Sequence, residues 1–399
     1  MRLLALHHPA DLNSELARVG VDQRAWAIFA QKAEVIPLKI TGISVAAGNI
    51  LKQTALVCGA DCALHRDAIS GRVKKTDAIL FATLRQYEQI CLRLKKQPEC
   101  AARLITEIQT LLAAAREPQY RVKLGRNTMN LNRTLIMGII NITPDSFYDG
   151  GRYLNPHAAL ERANQLVEDG ADILDIGAES TRPGAEPVSP EEQLKRILPV
   201  LKPLVKKTRV PISIDTTSSR VAETVLAEGA ALINDISGLK FDPALARICA
   251  RYSAGLILMH IRGTPRTMQR NPVYKDLMAE ITGELRKSIH QALEAGVGFE
   301  NLLVDPGIGF GKKPEHNLEI LRRLAELRTL NRPIVIGPSR KSFIGHVLNL
   351  PPEERLEGTI TSCIVGALNG ASIVRVHDVL PVRRALQILT AIQLDRSRA

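Results

Sequence analysis

Eight short apolar segments recur along the second part of the chain, and a stretch with helical periodicity separates each from the next. The segments are Leu135–Ile140, Asp172–Ile176, Pro211–Ile214, Ala231–Asn234, Gly255–Met259, Asn301–Val304, Pro333–Ile336 and Ser372–Val376. Apolar runs without polar alternation are typical of strands in a parallel sheet that is covered on both faces. Eight strand–helix units over about 265 residues match the size of a closed barrel. We therefore predict an α/β fold in which residues 126–399 form a (β/α)8 TIM barrel.

The structural alternative is a doubly wound open sheet, which often binds a dinucleotide through a glycine-rich turn after its first strand. No such fingerprint follows Ile140. The glycine-rich run Gly307–Lys312 is not a P-loop, because its spacing differs and neither Ser nor Thr follows the lysine. The missing fingerprint favours the closed barrel.

A polar break near residues 116–133 separates the predicted barrel from an earlier region, and we place the domain boundary after residue 125. Mixed periodicities before the break predict a small α/β domain. Its predicted elements are the strands Val35–Ile40 and Asp77–Ala82 and the helices Leu84–Leu94 and Ala101–Ala115. We identify no catalytic motif in residues 1–125, so the sequence leaves their role open.

The chain carries a formal net charge of +12, of which residues 1–125 hold +7 and the remainder +5. The excess is therefore not concentrated in the predicted barrel. A basic balance suits an anionic substrate, a nucleic acid or an acidic membrane surface, and solubility is the simplest explanation. Only 4% of the residues are aromatic, which disfavours a protein that stacks nucleic-acid bases on exposed rings. We expect no nucleic-acid partner.

The sequence shows neither the apolar core of a signal peptide nor a run long enough to span a membrane. We therefore expect a cytoplasmic protein with reduced thiols and no membrane partner. Cys58, Cys62 and His65 could together ligate a metal, but their spacing matches no standard zinc pattern. A helix that carries buried, apolar thiols is the favoured interpretation.

Polar and charged residues follow almost every predicted strand at its carboxyl end. In a barrel these ends meet on one face, and that face carries the active site. A single Asp or Ser after a strand is often only a helix cap, and Ser189 and Asp242 are candidates for that role. Capping does not call for Arg or Lys, which follow strands two, seven and eight. We therefore predict a binding site at this rim.

The residue types at the rim indicate what it binds. Its acceptors suit a planar heterocycle with adjacent N–H and NH2 donors, such as the aminopyrimidinone edge of guanine or pterin. Its cations suit phosphate or carboxylate. Asn141 can give one neutral oxygen to Mg2+, with waters and substrate phosphate oxygens as the other ligands. His260 is either a ligand or base, or a structural histidine. The acceptors are Asp215, Asn234 and Asp305, and the cations are Arg182, Lys341, Arg375 and His377.

Five segments between Leu135 and Ile392 resemble, in order, the signatures of the dihydropteroate synthase family. They are Gly138–Phe147, Glu179–Ala185, Asp305–Lys312, Ser339–Lys341 and Arg375–Val379. The resemblance implies a homodimeric pterin-binding TIM-barrel enzyme of folate biosynthesis. Such an enzyme uses Mg2+ and joins 6-hydroxymethyl-7,8-dihydropterin diphosphate to p-aminobenzoate with release of pyrophosphate. Residues 1–125 are additional to the basic enzyme of this family.

The resemblance also implies a division of roles among the rim residues. Catalysis would fall to Asp215, Asp305, Lys341 and Arg375. The pterin ring would contact these four residues together with Asn234, Ile236 and Met259. The diphosphate would contact Asn141, Arg182, Arg375 and His377, with Asn141 on the metal. The p-aminobenzoate pocket would comprise Thr181, Pro183, Phe310, Lys341 and Ser342.

Two other functions stay open from the sequence. A pterin-binding methyltransferase domain would share the barrel and the Asp and Asn ligands, but the segment Asn141–Phe147 and the Ser339–Lys341 motif disfavour it. A non-catalytic scaffold would use a basic front domain to bind a partner, but the complete set of rim residues disfavours a loss of catalysis.

Overall fold

The computed structural model describes residues 2, 4, 6, 9–116, 121–125, 127–142, 156–179 and 188–393. The chain divides after Arg116 into two compact units, here the front unit and the barrel unit. The division precedes the predicted boundary after residue 125. The physical reason is that residues 121–125 belong to a hairpin that packs on the barrel.

The front unit contains a three-stranded antiparallel sheet in the order β1–β3–β2. Its strands are β1 (Ile36–Ser44), β2 (Asp61–Leu64) and β3 (Lys75–Ala82). Its α-helices are α1 (Pro9–Val19), α2 (Trp26–Ala30), α3 (Val45–Val57), α4 (Leu84–Leu94), α5 (Glu99–Ala102) and α6 (Leu104–Arg116). Side chains alternate between buried and exposed along β3. The buried ones join Leu51 of α3 and Ile90 of α4 in one apolar core.

The small α/β fold predicted for this region is confirmed, and α4 has the predicted bounds. The helix predicted from Ala101 to Ala115 is instead two helices, α5 and α6, which separate at Arg103. The prediction of one helix carrying both Cys58 and Cys62 is wrong. Helix α3 ends at Val57, Gly59 turns the chain with a φ of +72°, and Cys62 is buried on β2.

The barrel unit is a closed barrel of eight strands, in which every neighbouring pair is parallel. Its strands are β6 (Leu135–Asn141), β7 (Ile173–Gly177), β8 (Ile212–Asp215), β9 (Leu232–Asp235), β10 (Gly255–Met259), β11 (Leu302–Asp305), β12 (Ile334–Ile336) and β13 (Ala371–Val376); the hairpin before them comprises β4 (Arg121–Leu124) and β5 (Asn127–Asn130). Each barrel strand begins and ends within one residue of its predicted position. The predicted (β/α)8 TIM barrel is confirmed.

The helices of the barrel unit cover the outside of the strands, where one large apolar core fills the space between them. They are α7 (Pro156–Glu168), α8 (Pro190–Lys207), α9 (Ser219–Ala227), α10 (Ala244–Tyr252), α11 (Leu277–Glu294), α12 (Pro314–Arg322), α13 (Ser342–Leu348), α14 (Leu356–Leu368) and α15 (Val379–Gln393). Ser189 caps α8, as predicted, by accepting a hydrogen bond from the Glu192 amide. Asp242 accepts from the amides of Ser219 and Ala244 at the starts of α9 and α10.

The β4–β5 hairpin lies across the amino-terminal end of the barrel. Val122 and Leu124 pack with inward-facing strand residues such as Ile257 in a separate apolar cluster. Leu124 occupies the space that a Cβ on Gly255 would need. The Asn301 side-chain amide donates to the Lys123 carbonyl at 3.1 Å. The hairpin therefore closes the end of the barrel opposite the rim.

Leu124→Ala should lower the free energy of unfolding by about 2–5 kcal/mol, because it leaves a cavity where a buried side chain filled the barrel floor. Leu124 is only 1% exposed. Urea unfolding followed by circular dichroism would measure the change, since the single tryptophan, Trp26, lies in the front unit. Leu318→Ala on α12, where the side chain is 45% exposed, is the control. An equal cost for both variants would contradict the role given to the hairpin.

Candidate active site

The carboxyl ends of the barrel strands bring several predicted residues to one level of the barrel mouth. Asn141 lies beside Gly177, Gly177 beside Asp215, and Asp215 beside Asn234 on successive strands. Residues that are paired in register on neighbouring strands point to the same side of the sheet, and here that side is the barrel interior. Asn141, Asp215 and Asp305 are the last residues of their strands, so the strands themselves hold these side chains.

Arg375 on β13 reaches across the barrel interior to two carboxylates on β7 and β8. Its Nε lies 2.6 Å from Asp175 Oδ2, and its Nη2 lies 2.9 Å from Asp215 Oδ2. The Asn234 side-chain amide also donates to Asp175 Oδ2, at 3.3 Å. Asp175, whose side chain is 0% exposed, thus joins three predicted residues into one network. Asp175 was not predicted as a site residue from the sequence. The one feature that could have indicated it is a single carboxylate inside an otherwise apolar strand.

Burial dominates the protonation of the acceptors in the barrel mouth. It raises the pKa of Asp215 to about 7, although the cation of Arg375 opposes the change. It raises the pKa of Asp305 to about 6, although the hydrogen bond from the Gly307 amide opposes it. Both carboxyl groups can therefore gain a proton near neutral pH until a ligand supplies N–H donors that favour the ionised form.

The loop after β11 wraps around the end of the Lys341 side chain. Asp305 Oδ1 accepts a hydrogen bond of 2.6 Å from the Gly307 amide. Lys341 Nζ donates to the Ile308 carbonyl at 3.0 Å and lies 4.1 Å from the centre of the Phe310 ring. Burial, followed by repulsion from Arg375, lowers the pKa of Lys341 to about 8. Lys341 is therefore a cation at neutral pH that stands between Asp305 and the Phe310 ring.

Apolar side chains form one wall of the same mouth. The predicted residues Ile236, Met259 and Phe310 belong to a single small cluster, which also contains Ile261 and Met268. Each of the five is at most 7% exposed. The cluster offers a dry surface beside the polar network, which suits a flat aromatic ligand.

His377 lies at the end of β13 next to Ser339, whose Oγ is 3.0 Å from His377 Nδ1. Burial, followed by repulsion from Arg375, lowers the pKa of His377 to about 4. His377 is therefore neutral at neutral pH, and counting it among the cations of the rim is wrong. Arg340 also has a different role from Lys341, because its guanidinium forms two hydrogen bonds with Asp378, of 2.7 and 2.9 Å.

Of the remaining predicted site residues, the structure describes some and not others. Asn141 is half-buried, and Ser342 is exposed as the first residue of α13. Thr181, Arg182 and Pro183 lie outside the described residues. The structure therefore brings together the acceptors, Lys341, Arg375, His377 and the apolar wall, and it leaves the residues after β7 as predictions.

His260 is a structural histidine in this fold. It is 1% exposed, its Nδ1 lies 3.0 Å from Lys312 Nζ, and its Nε2 lies 3.4 Å from Glu284 Oε2. Within the described ranges, no group of three or more His, Cys, Asp or Glu side chains is placed to hold a metal. In the same ranges, every helix is too short or too polar to span a membrane.

A profile of the family described as "Pterin binding enzyme" matches residues 137–377, from β6 to the end of β13, and thus includes the polar network and the apolar wall. The chain belongs to this family of pterin-binding enzymes. Its membership agrees with the aminopyrimidinone ligand that the acceptors indicated.

Several dihydropteroate synthases are similar to this chain. The protein of Clostridium beijerinckii is 45% identical over 269 residues, which cover 67% of this chain and 97% of the relative. A Yersinia pestis dihydropteroate synthase solved with a sulfonamide drug is 40% identical with a TM-score of 0.65, over 68% of this chain and 99% of that one. A Xanthomonas albilineans synthase in complex with 7,8-dihydropteroate is 36% identical with a TM-score of 0.63, over 69% and 99% of the two chains. These relatives favour the synthase over the methyltransferase and the scaffold.

Asp175→Asn should lower the free energy of unfolding by about 1–3 kcal/mol, because the buried guanidinium of Arg375 loses one of its two carboxylate partners and keeps only Asp215. Urea unfolding followed by circular dichroism would measure the change. The double variant Asp175→Asn with Arg375→Met should recover part of the loss, since the guanidinium that lacks its second partner is then gone. A double variant less stable than the single one would contradict this account of the ion pair.

Proposed function

We propose that the chain catalyses the dihydropteroate synthase reaction with the rim residues in the roles given below. 6-Hydroxymethyl-7,8-dihydropterin diphosphate condenses with p-aminobenzoate, and the products are 7,8-dihydropteroate and pyrophosphate. The observation that carries the proposal is the buried network of Asp215, Asn234 and Arg375 beside an apolar wall. Relatives that are 42–46% identical over nearly their whole length support this transferase activity in folate biosynthesis.

The pterin ring is held by the acceptors deep in the barrel mouth. Asp215, Asn234 and Asp305 face the N–H and NH2 groups of the ring, and Lys341 donates to its acceptor atoms. Pairing with ring donors favours the ionised carboxylates, which offsets the effect of burial on their pKa values. Ile236 and Met259 pack near the ring, as members of the apolar wall.

The reaction breaks the bond between the pterin methylene carbon and the diphosphate oxygen, which leaves with the electron pair. Positive charge develops on the methylene and the ring, where the carboxylates of Asp215 and Asp305 stabilise it. The neutral aryl amine then bonds to the methylene carbon and loses a proton. Arg375 and the neutral N–H of His377 bind the departing anion. Positioning and electrostatics therefore supply the catalysis, without a protein nucleophile.

Mg2+ fits this site as a companion of the diphosphate. Asn141 at the end of β6 offers one neutral oxygen, and no acidic or imidazole cluster for a metal lies in the described part of the chain. Mg2+ commonly keeps several waters and substrate phosphate oxygens as ligands, so one protein oxygen suffices. Bound there, the ion would neutralise charge on the leaving pyrophosphate. Arg182, outside the described residues, is proposed for the same anion.

p-Aminobenzoate is proposed to bind above the pterin, beside Phe310 and the stem of Lys341. Phe310 lies against Lys341 Nζ, and this contact supports an aromatic wall for the proposed pocket. Ser342 is the exposed first residue of α13, and its hydroxyl can donate to the carboxylate of the substrate. Thr181 and Pro183 complete the proposed pocket.

The purified chain should release pyrophosphate only when the pterin diphosphate, p-aminobenzoate and Mg2+ are all present. Coupled detection of pyrophosphate measures the rate, and EDTA should abolish it because the charge of the leaving group is then no longer neutralised. A sulfonamide should compete with p-aminobenzoate and not with the pterin. Full turnover in EDTA would exclude the assignment of Mg2+.

Asp305→Asn should weaken binding of plain 6-hydroxymethylpterin by at least about tenfold, because a ring donor loses its charged acceptor. His377→Gln should spare plain pterin and weaken only the diphosphate substrate, since His377 is assigned to the anion. Calorimetry on the folded variants gives the four affinities. If His377→Gln harmed plain pterin as much as Asp305→Asn does, the assignment of His377 to the diphosphate would be wrong.

The resemblance supports a proposal for the assembly of the chain. We propose a homodimer in the cytoplasm, with small molecules as the substrates and neither nucleic acid nor membrane as a partner. Sedimentation at micromolar concentration would test the dimer.

A further inference from the structure

The loop between β11 and α12 lies in close contact with the backbone of His260 and Arg262. Gly307, Gly309 and Gly311 all have a positive φ, between 65° and 84°. A Cβ on Gly307 would overlap the His260 carbonyl, and one on Gly311 would lie 2.6 Å from the Arg262 carbonyl. The loop therefore lies close against the chain that follows β10, and its buried backbone carbonyls need hydrogen-bond donors.

Lys312 supplies such a donor from inside the protein. The residue is 2% exposed, and its Nζ lies 2.9 Å from the Phe310 carbonyl, 3.0 Å from His260 Nδ1 and 3.4 Å from the His260 carbonyl. Burial lowers the pKa of Lys312, but in its ammonium form the group has three N–H donors, and these three acceptors match them. Lys312 is thus fully engaged behind the loop.

Glu284 lies near the other ring nitrogen of His260. His260 Nδ1 can accept from Lys312 only if the ring proton sits on Nε2, and Nε2 lies 3.4 Å from Glu284 Oε2. Lys240 holds the same Glu284 oxygen at 2.6 Å. A chain of contacts therefore runs from α11 through His260 and Lys312 to the carbonyl of Phe310.

We infer that Lys312 is a positioning residue, which fixes the Phe310 ring as a wall of the p-aminobenzoate pocket. Phe310 is 7% exposed and faces Lys341 Nζ, so its ring position depends on the backbone that carries it. Lys312 binds the carbonyl of that same residue. The inference rests on the proposed function, because it takes Phe310 to contact p-aminobenzoate.

Lys312→Met removes the three donors while keeping most of the side-chain volume. It should raise the KM for p-aminobenzoate about tenfold, since the Phe310 carbonyl loses its donor and the ring its fixed position. The kcat should change less than about threefold, and plain pterin should lose clearly less affinity than p-aminobenzoate, because Asp215 and Asn234 are untouched and Lys312 affects Asp305 only through its charge. Lys312→Gln keeps an N–H donor and should give a smaller rise in KM.

Lys313→Met is the matched control, with the same substitution one residue further along, and it should leave all three quantities unchanged. Turnover by the unaltered chain tests the proposed function, whereas the ratio of variant to unaltered chain tests this inference. An unchanged KM in a folded Lys312→Met overturns the inference. An equal loss of pterin and p-aminobenzoate affinity also overturns it, since that pattern marks a general structural role. Should Lys312→Met not fold, the same two comparisons on Lys312→Gln decide.

Discussion

The ion pairs of Arg375 with Asp175 and Asp215 organise the barrel mouth. A guanidinium inside a barrel is costly unless charge and hydrogen bonds compensate it, and the two carboxylates provide both. Asp175 also receives the Asn234 amide, so three strands are tied to one carboxylate. The arrangement holds the proposed pterin acceptors in place before a ligand arrives, which reduces the cost of ordering them on binding.

The barrel interior changes character along its axis. At the amino-terminal end, residues such as Ile173, Ile257 and Ile373 pack with the hairpin residues Val122 and Leu124. At the carboxyl end, inward positions carry charge, and the loops supply the apolar wall instead. The hairpin completes this apolar lower layer. The lower layer therefore stabilises the fold, and the polar layer at the carboxyl ends of the strands is left for binding.

The charged residues around the mouth divide into those that face it and those that hold others in position. Arg340 pairs with Asp378 and so links the loop that carries Lys341 to the end of the strand that carries Arg375. Lys312 is buried behind the loop of Phe310. Such residues look like ligand-binding cations in a sequence, and their contacts show that they act on neighbouring groups.

Much of this molecule follows from the sequence alone, because strand and helix periods and strand-end chemistry are local properties. The eight strands, the rim, and the acceptors Asp215, Asn234 and Asp305 were predictable in this way. The neutral state of His377, the part played by Asp175 and the end of α3 at Val57, before Cys62, were not. Burial sets a pKa, and burial depends on what the fold packs around a side chain. The partner of Asp175 lies 200 residues away on β13, and only closure of the barrel brings the two together.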